Sequence, residues 1–357
     1  MTDNILFEKR GGVGHIILNR PEALNALNLD MIEAMHDVLD DCAADDDVYI
    51  VLVTSASEKA FCAGGDVKSI ALASKAHQDE GGDSEAFEYF FRREYELNTK
   101  IHNFEKPYVS IISGICMGGG MGISMHGSHR ILTENASFAM PEVKIGFFPD
   151  VGGGDILSKM DGGFGLYMGM TGVRIKADDM MYLKLGTHFI DINGVDHLVD
   201  HLSGLKWARA DVTSVLNSNL SNYCEANMQK SGFYSIKEDI KLTFDPDGVE
   251  NILSRLKSHD ANWAKDAYEA ISTACPLSIQ IAYDHTLNSK GKAFEEIMIN
   301  EYRLSQYFMH QPEFFEGVRA LLIDKDQSPK WSTSFEAMPE DVYQSALNSF
   351  EGSDLEI

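Results

Sequence analysis

The strongest constraint on this chain is a unit that occurs twice. A nearly continuous apolar strand, a turn of small residues and the start of a helix appear at 48–70 and again at 108–128. Val48 to Thr54 and Tyr108 to Ile112 have the composition of strands buried on both faces of a sheet. Such repetition predicts parallel strands with ligand sites at their carboxyl ends, and so an α/β fold. The turns are Phe61-Cys-Ala-Gly-Gly-Asp66 and Gly118-Gly-Gly-Met-Gly122. The second opens a predicted helix over 120–128, whose first N–H groups have no partner within the helix and lie at the positive end of its dipole. Without Cβ atoms these glycines admit a ligand oxygen close to the main chain. If each turn donates one N–H to the same carbonyl oxygen, the pair makes a far better oxyanion hole than one alone. Tight packing of helix on strand would also explain Gly118 to Gly120.

The rest of the chain fits around these units. Ile5 to Lys9 and His15 to Asn19 read as a hairpin about Gly11-Gly12. Asn28 or Asp30 is placed to cap a helix carrying Met31, Ile32, Met35, Val38 and Leu39. Lys68 to Gly82 is polar and reads as a mobile or loosely helical segment, and Glu85 to Phe104 as a long amphipathic helix. Residues 162–200 have a helical pattern with short turns, and 205–265 are charged at helical spacing, divided by Asp245-Pro-Asp-Gly248. A last helical block starts near Cys275-Pro276.

At 357 residues, with 44% hydrophobic and 24% charged residues, the chain can bury the core of a soluble globular protein. A formal net charge of −25 disfavours nucleic acid or an anionic membrane as partner. Five cysteines without C-x-x-C or zinc-ligand spacing read as reduced thiols. No presequence layout or membrane-spanning run is evident, so a soluble intracellular protein is expected. G-x-G-x-x-G fails because residue 123 is Ile, and there is no P-loop pattern.

Two acids follow prolines in the central stretch, Glu142 in Pro141-Glu142 and Asp150 in Pro149-Asp150. Alone, Glu142 would be a solvated or helix-start acid, Asp150 a cap for a helix starting at Val151, and Asp66 likewise a cap. Together, beside two glycine turns, the pair can supply proton transfer or nucleophilic attack. Cys62 and Cys116 flank the turns but have no His partner in sequence and read as small buried residues. His126 reads as a core histidine on the predicted helix.

With these residues in view, the chain resembles the crotonase (enoyl-CoA hydratase/isomerase) superfamily. The resemblance rests on Phe61–Asp66, Gly118–Gly122, Met140-Pro-Glu-Val-Lys-Ile-Gly146 and Asn19-Arg-Pro-Glu-Ala-Leu-Asn-Ala-Leu-Asn28. Within that family, Phe147-Phe-Pro-Asp-Val-Gly-Gly-Gly154 and the distal Glu316–Trp331 segment are similar to the 3-hydroxyisobutyryl-CoA hydrolases. The resemblance implies a spiral of ββα units, residues 1–200 forming a CoA-thioester-binding core and 201–357 a mainly helical region covering the active site. It implies a thioester carbonyl held between the N–H groups of Gly65 and Gly119, with Glu142 and Asp150 as catalytic acids and Glu94 as a further substrate contact. CoA is expected along Leu24, Ala26 and Leu27 and along the 61–68 turn, with Ala63 there and Lys68 either a phosphate contact or a solvated lysine.

Hydratases of the family carry a second catalytic glutamate where this chain has Gly122, and a small residue where it has Asp150. The implied reaction is therefore hydrolysis of a short 3-hydroxyacyl-CoA, foremost 3-hydroxyisobutyryl-CoA in valine catabolism. Glu142 would attack the carbonyl or act as base on water, and Asp150 would recognise the 3-hydroxyl and assist proton transfer. The alternatives are a hydratase or isomerase of the same fold, or a CoA-binding protein without catalysis. The partner expected is the acyl-CoA substrate, with no nucleic acid, no membrane, no metal and no separate cofactor, in the cytoplasm or, after processing, the mitochondrial matrix. The C-terminal block would cover its own site or build a homo-oligomer.

Overall fold

The computed structural model describes residues 2–80, 85–208, 211–223 and 231–357. Gly82, Cys224 and parts of the 205–265 stretch lie outside these residues. The chain forms two compact units, each assembled from three stretches: Met1–Gly65, Leu97–Phe138 and Arg174–Tyr234 in the first, Asp66–Glu96, Ala139–Val173 and Ser235–Ile357 in the second. The units interleave along the chain, whereas the sequence suggested a boundary near residue 200. Beyond residue 200 every regular element among the described residues is helical.

The first unit carries the sheets. In chain order the strands are β1 (Ile5–Arg10), β2 (Val13–Leu18), β3 (Ile50–Ser55), β4 (Ala60–Cys62), β5 (Tyr108–Ile112), β6 (Ile115–Met117), β7 (His129–Thr133), β8 (Ser137–Ala139), β9 (Ile175–Lys176) and β10 (His188–Ile190). One sheet has the order β1-β2-β3-β5-β7-β10 and the other β4-β6-β8-β9. β1 and β2 form the expected antiparallel hairpin, while β2, β3, β5, β7 and β10 pair in parallel. Alternate residues of the large sheet, Ile50 and Leu52 on β3 and Val109 and Ile111 on β5, join Leu198, Leu202, Leu216 and Leu220 of two helices in one buried cluster. The period of two along the strands and the helical spacing of the leucines create that layer. Asn28 caps the helix Leu29–Ala44, its side chain accepting the Met31 N–H at 3.0 Å.

Three readings need correction. Lys68 to Gly82 is not a loose segment as far as it is described, because a regular helix runs Val67–Glu80. The helix expected over 120–128 is a single turn, Gly119–Gly122. Glycine is a poor helix former, and the Ser124 hydroxyl donates to the Gly120 carbonyl at 2.7 Å, competing with the backbone ladder. Residues 162–200 are not wholly helical: β9 and β10, of two and three residues, are too short to carry an alternating pattern.

The second unit is helical. Helix Phe164–Thr171 is buried at every residue and packs on helix Pro276–Asn288, which begins with proline after Cys275 as the sequence indicated. Phe147 lies against Phe91, Phe308 and Phe314 at ring separations of 5.5, 5.4 and 5.3 Å. A Cβ on Gly146 would stand 2.2 Å from the Glu313 carbonyl oxygen, and one on Gly317 2.3 Å from the Ile145 carbonyl carbon. The distal segment is thereby pressed onto the turn that follows Glu142.

Candidate active site

In the first unit, β4 and β6 pair in parallel with Cys62 opposite Cys116, which sets the two glycine turns side by side. Gly64 and Gly118 have φ of +117° and +46°, a region that favours glycine. A Cβ on Gly64 would lie 3.9 Å from the Gly119 nitrogen, and one on Gly120 would lie 2.4 Å from the Cys62 oxygen. Tight packing therefore accounts for Gly120, and backbone conformation for Gly118. Neither the Gly65 nor the Gly119 N–H donates to a backbone carbonyl among the described residues. With only one helical turn behind Gly119, any attraction for a carbonyl oxygen comes from the N–H groups themselves rather than from a long helix dipole.

The Leu24–Leu27 loop joins the same turn. Leu27 N–H donates to the Gly64 carbonyl at 2.8 Å and Ala63 N–H to that of Leu24 at 3.0 Å. Leu24 and Asn25 adopt φ of +52° and +56°. Asn25, which the sequence reading passed over, fixes the loop: its amide donates to the Phe61 carbonyl at 2.9 Å and to Ser55 Oγ at 2.7 Å. An asparagine inside a Pro-containing loop, a type that tolerates left-handed backbone, was the available signal. Leu24, Ala26 and Ala63 are half-buried and Leu27 is fully buried, so the Leu27 side chain belongs to the core.

Gly122 lies against Asn98, whose amide would be only 2.5 Å from an added Cβ. No carboxylate fits there without moving Asn98. Cys62 and Cys116 are buried free thiols, and burial pushes Cys116 up to about 12, which removes it as a thiolate nucleophile near neutrality. His126 is half-buried and edge-on to His102 at 6.3 Å rather than in the core.

The second unit gathers the acids. Glu94 lies on helix Glu85–His102, Glu142 opens a short 3-10 turn, and Asp150 follows the Phe147-Phe148-Pro149 run. All three are buried, with Glu94 only 2% and Glu142 and Asp150 each 6% exposed. Of the alternative readings, Glu142 does start a short helical turn but is not a solvated surface acid, and Asp150 does not cap a helix at Val151, since the next helix begins at Gly153, capped by Gly152. The Asp150 carboxylate instead accepts the Tyr95 hydroxyl at 2.6 Å. The sequence does not single out Tyr95; its position directly after Glu94 was the one hint of a polar role. Glu94 Oε1 and Glu142 Oε2 are buried and have no hydrogen-bond partner among the described residues.

These surroundings set the acidity. Burial, then repulsion from Asp150, raises both Glu94 and Glu142 well above the usual carboxylate range. Burial also raises Asp150, to about 7, with the Tyr95 hydrogen bond working the other way and the Glu301 charge adding to the rise. Buried carboxyls that repel one another cannot all ionise together, so Glu94 and Glu142 keep their protons to a pH above the usual carboxylate range. Lys68, in this unit, is exposed, and Asp66 stands just before the helix Val67–Glu80, its carbonyl accepting Ser69 N–H at 3.1 Å. Among the described residues no cluster of three or more His, Cys, Asp or Glu side chains has the arrangement to hold a metal, and no helix is long and apolar enough to cross a membrane.

A sequence model of the enoyl-CoA hydratase/isomerase family matches residues 13–349. The mitochondrial 3-hydroxyisobutyryl-CoA hydrolase of Rattus norvegicus is 40% identical, over 98% of this chain and 89% of its own. That of Homo sapiens is 37% identical, over 99% and 91%. Among solved structures, a carnitinyl-CoA dehydratase from Mycobacterium thermoresistibile superposes with a TM-score of 0.87 at 31% identity, covering 98% of both chains. An enoyl-CoA hydratase from Rhodobacter sphaeroides gives 0.86 at 30%, over 96% of this chain and 97% of its own. With its parallel sheets, paired glycine turns and buried acids, the chain belongs to the enoyl-CoA hydratase/isomerase family and has the crotonase fold.

Proposed function

We propose that this protein hydrolyses 3-hydroxyisobutyryl-CoA to 3-hydroxyisobutyrate and CoA, a step of valine catabolism. The observation that carries the reading is the buried acid group, in which Asp150 accepts the Tyr95 hydroxyl at 2.6 Å and burial raises Asp150 to about 7 and Glu142 well above the usual carboxylate range. A group with a pKa close to the working pH is the best suited to proton transfer. The names of relatives aligned over nearly the whole chain supply the acyl group.

In this reading the Gly65 and Gly119 N–H groups receive the thioester oxygen as it becomes an oxyanion. Glu142 either attacks the carbonyl carbon, giving an anhydride that water then opens, or takes a proton from the attacking water. In both routes the C–S bond breaks and CoA leaves as the thiol, with Asp150 assisting the proton's movement and binding the 3-hydroxyl. Glu94 contacts the acyl part. Leu24, Ala26, Leu27 and Ala63 border the CoA, and Lys68 is its phosphate contact. The reaction calls for no cofactor, since CoA arrives within the substrate. The working compartment is the cytoplasm or the mitochondrial matrix, the relatives being named as mitochondrial enzymes.

The hydratase reading would need a second carboxylate at 122, where this chain has glycine and the Asn98 side chain would have to move to admit one. The deciding experiment measures thiol release from 3-hydroxyisobutyryl-CoA beside crotonyl-CoA hydration, for wild type and Asp150→Gly. Thiol release that is lost in the variant, with little hydration, is the expected result. Hydration without thiol release would overturn the proposal, and tight binding with neither activity would favour a non-catalytic CoA-binding protein.

A further inference from the structure

We propose that the buried Glu301 carboxylate, braced by His285, is a positioning residue that locks the Asp150–Gly154 turn in the conformation presenting Asp150. The inference rests on the reading of Asp150 as a working acid. Glu301, on helix Phe294–Met309, is fully buried. Its Oε2 accepts the Gly152 N–H at 2.6 Å, and its Oε1 the Gly154 N–H at 2.9 Å. The same Oε1 lies 3.0 Å from His285 Nε2, and His285 Nδ1 is 3.1 Å from the Tyr343 hydroxyl. One carboxylate thus grips two main-chain donors immediately beyond Asp150 and is itself held from the far side.

The turn needs such a grip. Val151 has φ of +53°, a left-handed conformation that is unfavourable for a β-branched residue, and Gly152 follows at +81°. Strained backbone of this kind persists where its surroundings over-determine it. The glycine run after Asp150 has the same cause. A Cβ on Gly154 would stand 2.4 Å from both His285 Nε2 and Ser289 Oγ, and one on Gly153 2.6 Å from Met140 Cε. Stability alone gives little reason for a fully buried carboxylate whose side-chain partner among the described residues is a histidine, because well-packed apolar residues usually serve as well or better. Its service to the turn does give one. Within this unit the groups acting on Asp150 are Tyr95 and Glu94 from helix Glu85–His102, Glu142 from its turn, and Glu301. Glu301 therefore also adds negative charge that favours the protonated Asp150.

The test is steady-state hydrolysis across pH for wild type, Glu301→Gln, Asp150→Asn and the double variant, with melting temperatures alongside. The expected result for Glu301→Gln is a kcat lower by about 10²-fold with KM within about twofold. Its acid limb should also move to lower pH, because a neutral amide no longer raises Asp150. The double variant should be no slower than Asp150→Asn, since both changes act through one group. Wild-type kcat and an unmoved limb in Glu301→Gln, with Asp150→Asn inactive, would overturn the positioning role alone. Wild-type kcat in Asp150→Asn would instead overturn the reading of Asp150. Should Glu301→Gln not fold, Gly154→Ala decides: it pushes on His285 without changing charge, so kcat should fall with the limb in place, and an unchanged kcat would overturn the proposal.

Discussion

Burial of Glu142 and Asp150 makes their protonation the quantity that activity and stability both follow. Asp150 rises from 3.8 to about 7 on folding, so its protonated form is favoured in the folded state. A carboxyl raised in this way costs nothing below its unfolded pKa, and the cost grows as pH climbs from about 4 to about 7, then levels. Asp150→Asn is therefore expected to melt above wild type, with a gap that widens across that window and reflects a few kcal/mol at neutral pH. Calorimetry at several pH values checks it. Activity has the opposite slope: if Glu142 must be ionised, kcat/KM should fall on the acid side at a pH well above an ordinary glutamate limb, because burial and then the Asp150 charge raise Glu142. A limb near the usual carboxylate range would contradict the role given to Glu142.

At the scale of elements, the paired turns depend on contact distances that glycine alone permits. Gly120→Ala drives a Cβ to 2.4 Å from the Cys62 oxygen, a backbone atom that cannot step aside. Overpacking of this kind costs about 1–3 kcal/mol, so the variant should unfold at lower denaturant and lose thiol release through displacement of the Gly119 N–H. Asn28→Ala is the control. It removes a side-chain cap from helix Leu29–Ala44, costs about 1 kcal/mol, and should leave catalysis unchanged per folded molecule. Equal losses of activity in both variants would mean that Gly120 serves stability only.

For the whole molecule, the interleaving of the two units makes a fragment ending at residue 200 a poor candidate for independent folding. Such a fragment keeps 66–96 and 139–173 of the second unit but loses all of 235–357, including Phe308 and Phe314 against Phe147. It is expected to show weak near-ultraviolet circular dichroism and no cooperative melt, while the full chain shows both. The hairpin, the paired strand–turn units, the Asn28 cap and the family itself were legible in the sequence, because each rests on local periodicity or a contiguous motif. The one-turn helix at Gly119, the two short strands near 175 and 188, and the regular continuation to Glu80 of a helix of which only the start was read were not, because competing side-chain bonds and tertiary packing outweigh weak local preference there. Among site residues, Glu142 and Asp150 stood out by motif alone. That Tyr95 bonds Asp150 across 55 positions, and that Glu301 reaches back 147 positions to Gly154, only the tertiary structure decided. Sequence pattern records what neighbours along a chain require of each other. A hydrogen bond between distant segments leaves no period to read, and burial, which sets the acidity of these groups, exists only once the chain has folded.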